Sequence, residues 1–480
     1  MTEFLLTSIL LLAAFFAAIA AAFCLMKGFI QVVYSKEGFL PYIFYTSTFV
    51  NMLTIISEGR NMFVYTDPSA ISPGPSSYVI WIARISSALI LFAACQRIAS
   101  RLMHYGSKPN TPTLLIIAFL FFFFTNVFTA ALFSAHPSFE HFYVYLVLVG
   151  TASLLFAQGE EEISIHSARN IFFIFLVISA GFIPWNPELI FNNNYLEGLI
   201  PGLTYRYAGL ANHPNSLGII IVLFLLCLWN KPFSSRWLNF LGWIIGYSSL
   251  VLAQSKTSWI CFIISVFCMG YFKYGDFVKQ RFFDFKKPIL PAIFTLIVMI
   301  TASIISGLVM FSDIGGGINS FFSTRTGADL MTMTGRTMIW EVALNEWRHS
   351  PIFGYGLTIW DTAYRAKIGI PSAVTAHSQF YQTLASAGIV GVAGLLIYAA
   401  TLFWFTLKTA KSSQGLTLAI FLMLSFRSMS EVSLSVTGRF DSDALTHILL
   451  LMIIGAQFKS DRIQKNLTTY QSLIFSRGHN

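Results

Sequence analysis

Charge is scarce in this chain. Asp, Glu, Lys and Arg make up 11% of its 480 residues, too little polar surface to cover the cores that a water-soluble protein of this length would build. Cysteine is sparse as well. Cys24, Cys95, Cys227, Cys261 and Cys268 all fall in apolar stretches without metal-ligand or redox spacing, which leaves packing as their role. No segment repeats with a period of about 20–50 residues and no low-complexity linker divides the chain, so 1–480 reads as a single integral membrane domain. The first apolar run has no small-residue cleavage site behind a short core, which marks it as a retained helix rather than a signal peptide.

What the chain does have is apolar length. Its mean hydropathy is +0.67 and it carries 48 phenylalanines. Runs long enough to cross a hydrocarbon layer of about 30 Å occur at 4–25, 39–57, 78–96, 112–134, 142–157, 170–185, 208–229, 238–253, 257–272, 289–311, 382–407, 415–434 and 444–458. The expected fold is therefore all-α: a polytopic helical membrane protein of about 12–13 transmembrane helices. Lys and Arg orient it, because short loops rich in them stay cytoplasmic. With 273–288 inside, alternation also places 26–38, 97–111, 158–169, 230–237, 408–414 and the tail there, and these segments hold 19 of the 30 Lys and Arg residues. The net charge of +9 thus reports topology and gives no reason to expect nucleic acid as a partner.

Two segments on the opposite, external side exceed an ordinary turn. One is 186–207. The other, 312–376, gathers Arg325, Arg336, Arg348, Arg365 and Lys367 and runs into His377. It contains a helix of its own: Trp340, Ala343, Leu344 and Trp347 share one face while Glu341, Asn345 and Arg348 do not, the pattern of an amphipathic helix lying in the membrane interface.

The same alternation brings Arg206, Lys256, Arg336 and His377, from four distant segments, to the external membrane boundary. A cationic cluster there suits a pyrophosphate, whose charge must be neutralised when bound and as it departs. Arg336 falls in the first turn of its helix, where unpaired backbone N–H groups also favour an anion. His377 is expected to open the next helix, with Thr375 as N-cap and Tyr381 one turn on. Neighbouring arginines and a helix N-terminus favour an imidazole free to accept a proton, the state a general base needs. Plainer readings fit other residues. Boundary cations snorkel, Glu160-Glu161-Glu162 reads as a solvated run, and His213 before Pro214 as helix-start geometry. Asp441-Ser442-Asp443 has the spacing of a carboxylate metal pair but is common in loops.

Arg206-Tyr207-Ala208-Gly209-Leu210 with His213-Pro214-Asn215, Ser255-Lys256-Thr257-Ser258, Gly335-Arg336 with Trp340, Pro351-Ile352-Phe353-Gly354-Tyr355-Gly356, and Ala376-His377 closing on Gly388-Ile389-Val390-Gly391 together resemble the O-antigen ligase and polymerase superfamily, which includes exopolysaccharide polymerases. The likeness covers roughly 200–400 in motifs, and most of the chain in helix count and large late loop. It implies a metal-independent, inverting glycosyltransferase without cofactors, in a bacterial inner membrane with its site facing the periplasm. Its donor would be an undecaprenyl-pyrophosphate-linked glycan and its acceptor a second glycan or lipid A core. Membrane lipids surround it, and the likeness leaves room for a chain-length regulator. Arg206 and Arg336 would bind the donor pyrophosphate with help from Lys256. His377 would deprotonate the acceptor, with His213, Asn215, Ser378 and Tyr381 supporting. The chain departs from the family at Ser378, where many members have Asn. A polymerase is the favoured reading and a ligase the alternative. A transporter of lipid-linked sugars, the alternative of another class, would be expected to show internal repeats and mid-membrane ionisable groups, of which only Arg84 and Arg427 are candidates.

Overall fold

Helices form where the apolar runs predict them, because a backbone surrounded by lipid must satisfy its own hydrogen bonds. The computed structural model describes residues 38–63, 75–103, 111–193, 200, 203–282, 293, 296, 299, 300, 303, 336–370, 373–438 and 440–458. Its principal helices are α1 (Ile43–Glu58), α2 (Ser77–Met103), α3 (Thr113–Phe133), α4 (Tyr145–Leu154), α5 (Glu160–Gly181), α6 (Pro214–Asn230), α7 (Arg236–Ala253), α8 (Lys256–Phe282), α9 (Arg336–His349), α10 (Thr362–Ile368), α11 (Gln379–Ala410), α12 (Leu416–Ser428) and α13 (Ser442–Gln457). The protein is an all-α, polytopic membrane protein. Among the described residues, α2, α3, α5, α8 and α11 are each long and apolar enough to span a membrane, and α6, α12, α13 and 141–154 are shorter apolar helices beside them. Every predicted run from 39–57 to 257–272 and from 382–407 to 444–458 overlaps a helix, although 208–229 is helical only from Pro214 and 415–434 only over Leu416–Ser428. The runs 4–25 and 289–311 lie wholly or mostly outside the described residues, as does the start of the 312–376 loop. The largely buried α6 and α13 form the centre, with Leu217, Leu223, Phe224, Leu449 and Met452 among the core residues, and the more exposed α2 and α8 stand outside them.

The segments that charge alternation assigns to one side meet at one end of the bundle. Arg97 pairs with Glu160 at 2.6 Å, Lys231 with Glu162, Arg169 with the carbonyls of Lys231 and Pro232, and Asn230 donates to the Ser413 carbonyl at 3.1 Å. Glu160 is consequently not the solvated residue expected. It is buried, because both carboxylate oxygens are taken by the Arg97 guanidinium.

At the other end α11 is cut in two. Gly388 (φ 65°, ψ −158°) lies in a region only glycine occupies readily, and the carbonyl–amide ladder broken there is relaced by Pro351–Gly356. Tyr355 N donates to Ala385 O at 2.7 Å and Gly356 N to Ser386 O at 3.1 Å, while Ile389 N and Val390 N donate back to Pro351 O and Ile352 O. A Cβ on Gly388 would stand 2.3 Å from the Ile352 oxygen, and one on Gly354 2.6 Å from the Ala387 nitrogen. Beyond the cut, Gly391 and Gly394 let α11 approach a π-helical turn of α3, Phe124–Phe128, where Asn126 donates to the Gly391 carbonyl at 3.0 Å and a Cβ on Gly394 would collide with Thr125. α9, α10 and the first half of α11 share a small core of their own, with Ile339, Ala343, Trp360, Tyr364 and Ala376 in it. Two residues of the face that the sequence marks as apolar meet this core, Ala343 buried in it and Trp340 stacked on Tyr381 at 4.8 Å, and Ile339, outside that face, is buried beside them.

Candidate active site

The 186–207 segment delivers Arg206. Asn186 caps a single turn, Pro187–Ile190, which leads into β1 (Phe191–Asn192), paired antiparallel with β2 (Arg206–Tyr207). Arg60, buried just past α1, anchors this region by donating to the carbonyls of Leu189 (3.1 Å), Gly209 (2.8 Å) and Asn212 (3.2 Å). Gln254, in the left-handed turn between α7 and α8 (φ 47°), donates to the Leu203 and Tyr205 carbonyls. Arg206 is thus fixed from both sides, and its guanidinium donates to Asn215 Oδ1 at 2.8 Å and to the Ala253 carbonyl at 3.3 Å.

Asn215 is the second residue of α6. His213 is the N-cap, its Nδ1 accepting from the Asn215 backbone N–H at 3.2 Å, the helix-start geometry expected for it. The Asn215 amide is turned inward and donates to Glu431 Oε1 at 3.0 Å. Glu431, just beyond α12, gathers the site. Its Oε1 lies 3.8 Å from Arg336 Nη2, and its Oε2 lies 3.1 Å from His377 Nδ1. Burial alone would raise the Glu431 carboxyl, but the His377 hydrogen bond, the Arg427 charge and the Asn215 amide outweigh that penalty and hold it down at about 2. Arg206, Asn215, Arg336 and His377 therefore belong to one polar network.

His377 does not open its helix as expected. α11 starts at Gln379 with Ser378 in the N-cap position, and the Ser378 hydroxyl caps no N–H. Thr375 accepts from the His377 backbone N–H at 3.2 Å instead of capping the helix. His377 itself is left-handed (φ 48°), a conformation that costs a non-glycine residue about 1–2 kcal/mol and is held from both flanks. Gln382 Oε1 accepts from Ala376 N (3.0 Å), and Trp340 Nε1 donates to Ala376 O (2.9 Å). The stacking of Tyr381 on Trp340 ties the helix carrying Arg336 to the one that follows His377.

Lys256 is the first residue of α8. It stands between Ala253, which Arg206 touches, and Thr257, whose hydroxyl meets Ser430 at 3.3 Å beside Glu431. The Asp441-Ser442-Asp443 pair has protein partners: Asp441 caps α13 through Ala444 N, and both oxygens of Asp443 bind the buried Arg427, at 2.6 and 3.0 Å. Arg427 lies buried in the last turn of α12, and it donates to the Asn215 carbonyl at 3.1 Å. Arg84 is exposed on α2, its guanidinium over the Trp81 ring.

Sequence reasoning missed Glu431 and the partnership of Arg427 with Asp443. The signal is Arg427-Ser-Met-Ser-Glu431: in so charge-poor a chain, a base and an acid one turn apart at the end of an apolar helix require partners.

The arrangement presents cations toward an anion and an imidazole oriented by a carboxylate, which suits transfer of a group from an anionic leaving group to a hydroxyl. No curated protein matches the chain. The family model described as O-antigen ligase matches residues 240–396, a stretch that includes Lys256, Arg336 and His377 and stops short of Glu431. This match, on a multi-pass helical bundle, is a likeness over about a third of the chain to the O-antigen ligase and polymerase superfamily, a class of glycan-transferring enzymes.

Proposed function

We infer that the chain polymerises polyprenyl-pyrophosphate-linked oligosaccharide repeats at the periplasmic face of a bacterial inner membrane. The observation that carries this reading is the single network joining Arg206, Asn215, Arg336 and His377 through Glu431. His377 Nε2 takes the proton of an acceptor hydroxyl. The resulting oxygen attacks the anomeric carbon from the side opposite the leaving group, the bond from that carbon to the pyrophosphate oxygen breaks, and the configuration inverts. Arg206 and Arg336, with Lys256 beside them, neutralise the departing pyrophosphate with guanidinium and ammonium groups, so the reading calls for no metal ion.

A ligase that joins the glycan to lipid A core shares every one of these steps, and the description of the matched family favours it as the second reading. Gel analysis of surface glycans in a deletion strain separates the two. Loss of long chains with one repeat still on the core means a polymerase; long lipid-linked chains accumulating off the core mean a ligase. Unchanged glycans would remove both. For the chemistry, purified His377→Gln enzyme is expected to bind donor while turnover falls about a hundredfold or more. Substantial turnover would reject His377 as the base.

A further inference from the structure

We propose that Glu431 is the positioning residue for His377: it fixes the imidazole as the Nδ1–H tautomer, so that Nε2 keeps the lone pair that receives the acceptor proton. The proposal rests on the transfer reading above and adds a residue outside the matched 240–396 stretch.

The geometry carries it. Glu431 Oε2 is 3.1 Å from His377 Nδ1, and an ionised carboxylate only accepts, so Nδ1 must be the donor of that bond. The Glu431 carboxyl, its pKa held at about 2 by the His377 hydrogen bond and the Arg427 charge, stays ionised throughout the neutral range. The carboxylate is itself immobilised. Asn215 Nδ2 donates to Oε1 at 3.0 Å, Arg336 approaches the same oxygen at 3.8 Å, and the Glu431 backbone N–H donates to Arg427 O at 2.7 Å. Asn215 is in turn held by Arg206 through its side chain and by Arg427 through its carbonyl. On the other side of the bond, the left-handed backbone of His377 is pinned through Thr375, Gln382 and Trp340. Both partners are thus fixed before any substrate arrives, which is how an orienting carboxylate contributes in hydrolases built on a nucleophile, a histidine and an acid. The same carboxylate partly offsets the positive charge of Arg336, so removing its charge leaves the pyrophosphate clamp no weaker.

Glu431→Gln preserves the shape but replaces one oxygen with an amide NH2, which must face either Asn215 or His377. Facing His377, it donates to Nδ1 and favours the opposite tautomer. The expected outcome for purified full-length protein is a kcat lowered about a hundredfold or more, with KM for lipid-linked donor unchanged or lower. Glu431→Asp should recover part of kcat. Histidine 15N NMR of the same preparations, with the His377 signal assigned by its absence in His377→Gln, should show Nδ1–H in the wild type and Nε2–H or a mixture in Glu431→Gln. A merely structural role would move neither the tautomer nor the split between kcat and KM. Nε2–H in the wild type overturns the proposal even if Glu431→Gln fails to fold. Glu431→Gln turning over at about the wild-type rate while His377→Gln is inactive overturns it alone and leaves the transfer reading standing. Turnover by His377→Gln removes both.

Discussion

Arg336 illustrates how a single side chain divides its work. Its guanidinium lies 3.8 Å from Glu431, a looser contact than the Arg427–Asp443 pair at 2.6 Å, so it is the less committed of the two to an internal partner. Arg336→Lys keeps the charge and loses the planar fork that grips two phosphate oxygens, and activity measured with purified enzyme should fall at least about tenfold, the worth of one hydrogen bond to a charged group. Arg348, exposed at the far end of α9, should tolerate the same change; equal losses at both positions would contradict a phosphate clamp at Arg336. Glu431 also makes a pH prediction. Its carboxyl is held at about 2 against an ordinary 4.5, so the stability it contributes is complete above the ordinary value and is lost as pH falls from 4.5 toward 2. Thermal melting in detergent should therefore drop between about pH 5 and pH 3, and the difference between wild type and Glu431→Gln should shrink over that interval. A difference independent of pH would mean that the carboxyl binds its proton equally well folded and unfolded, and that the network exerts no hold on it.

The two halves of α11 meet at a glycine for which no other residue substitutes comfortably. Gly388→Ala forces a non-glycine residue into a backbone region that costs about 1–3 kcal/mol and pushes a methyl group toward the Ile352 oxygen. It should lower the melting temperature and reduce activity although it touches none of the charged residues; Gly270→Ala in α8, where an added Cβ meets nothing within 4 Å, should be milder. Wild-type behaviour of Gly388→Ala would show that the lacing by Pro351–Gly356 is dispensable. The helices themselves were legible in the sequence because lipid imposes a single answer on a long apolar run. The break in α11 was not. Apolar periodicity continues unbroken through Gly388, and the hydrogen bonds that replace the missing ladder come from residues thirty or more positions earlier. The seven-residue α10 was equally hidden, since its start depends on one cap, the Asp361 carboxylate accepting from Tyr364 N.

For the molecule as a whole, the arrangement of ends is the testable property. The basic segments share one end and the Glu431 network occupies the other. In a background without native cysteines, Thr362→Cys should react with a membrane-impermeant maleimide in cells whose outer membrane is permeabilised, and Lys411→Cys only once the inner membrane is opened. The reverse pattern would move the site to the cytoplasm. Charge alternation alone made this two-ended arrangement legible, together with the meeting of Arg206, Arg336 and His377. It could not reveal Glu431, because a carboxylate that organises cations looks in sequence like any acid in a loop, and only the packing of α6 against α12 brings Asn215 to it. The seam at Gly388 has a consequence for engineering. Main-chain atoms carry no side-chain identity, so a joint sewn from them constrains its glycines and little else. Two of these main-chain bonds, from Ile389 and Val390 to Pro351 and Ile352, join the segment bearing Arg336 and His377 to the rest of α11, and an exchange of 336–387 with the matching stretch of a related chain should seat in register there. Such a cassette would carry Arg336 and His377 across together, leaving Arg206, Lys256 and Glu431 in the bundle to receive them.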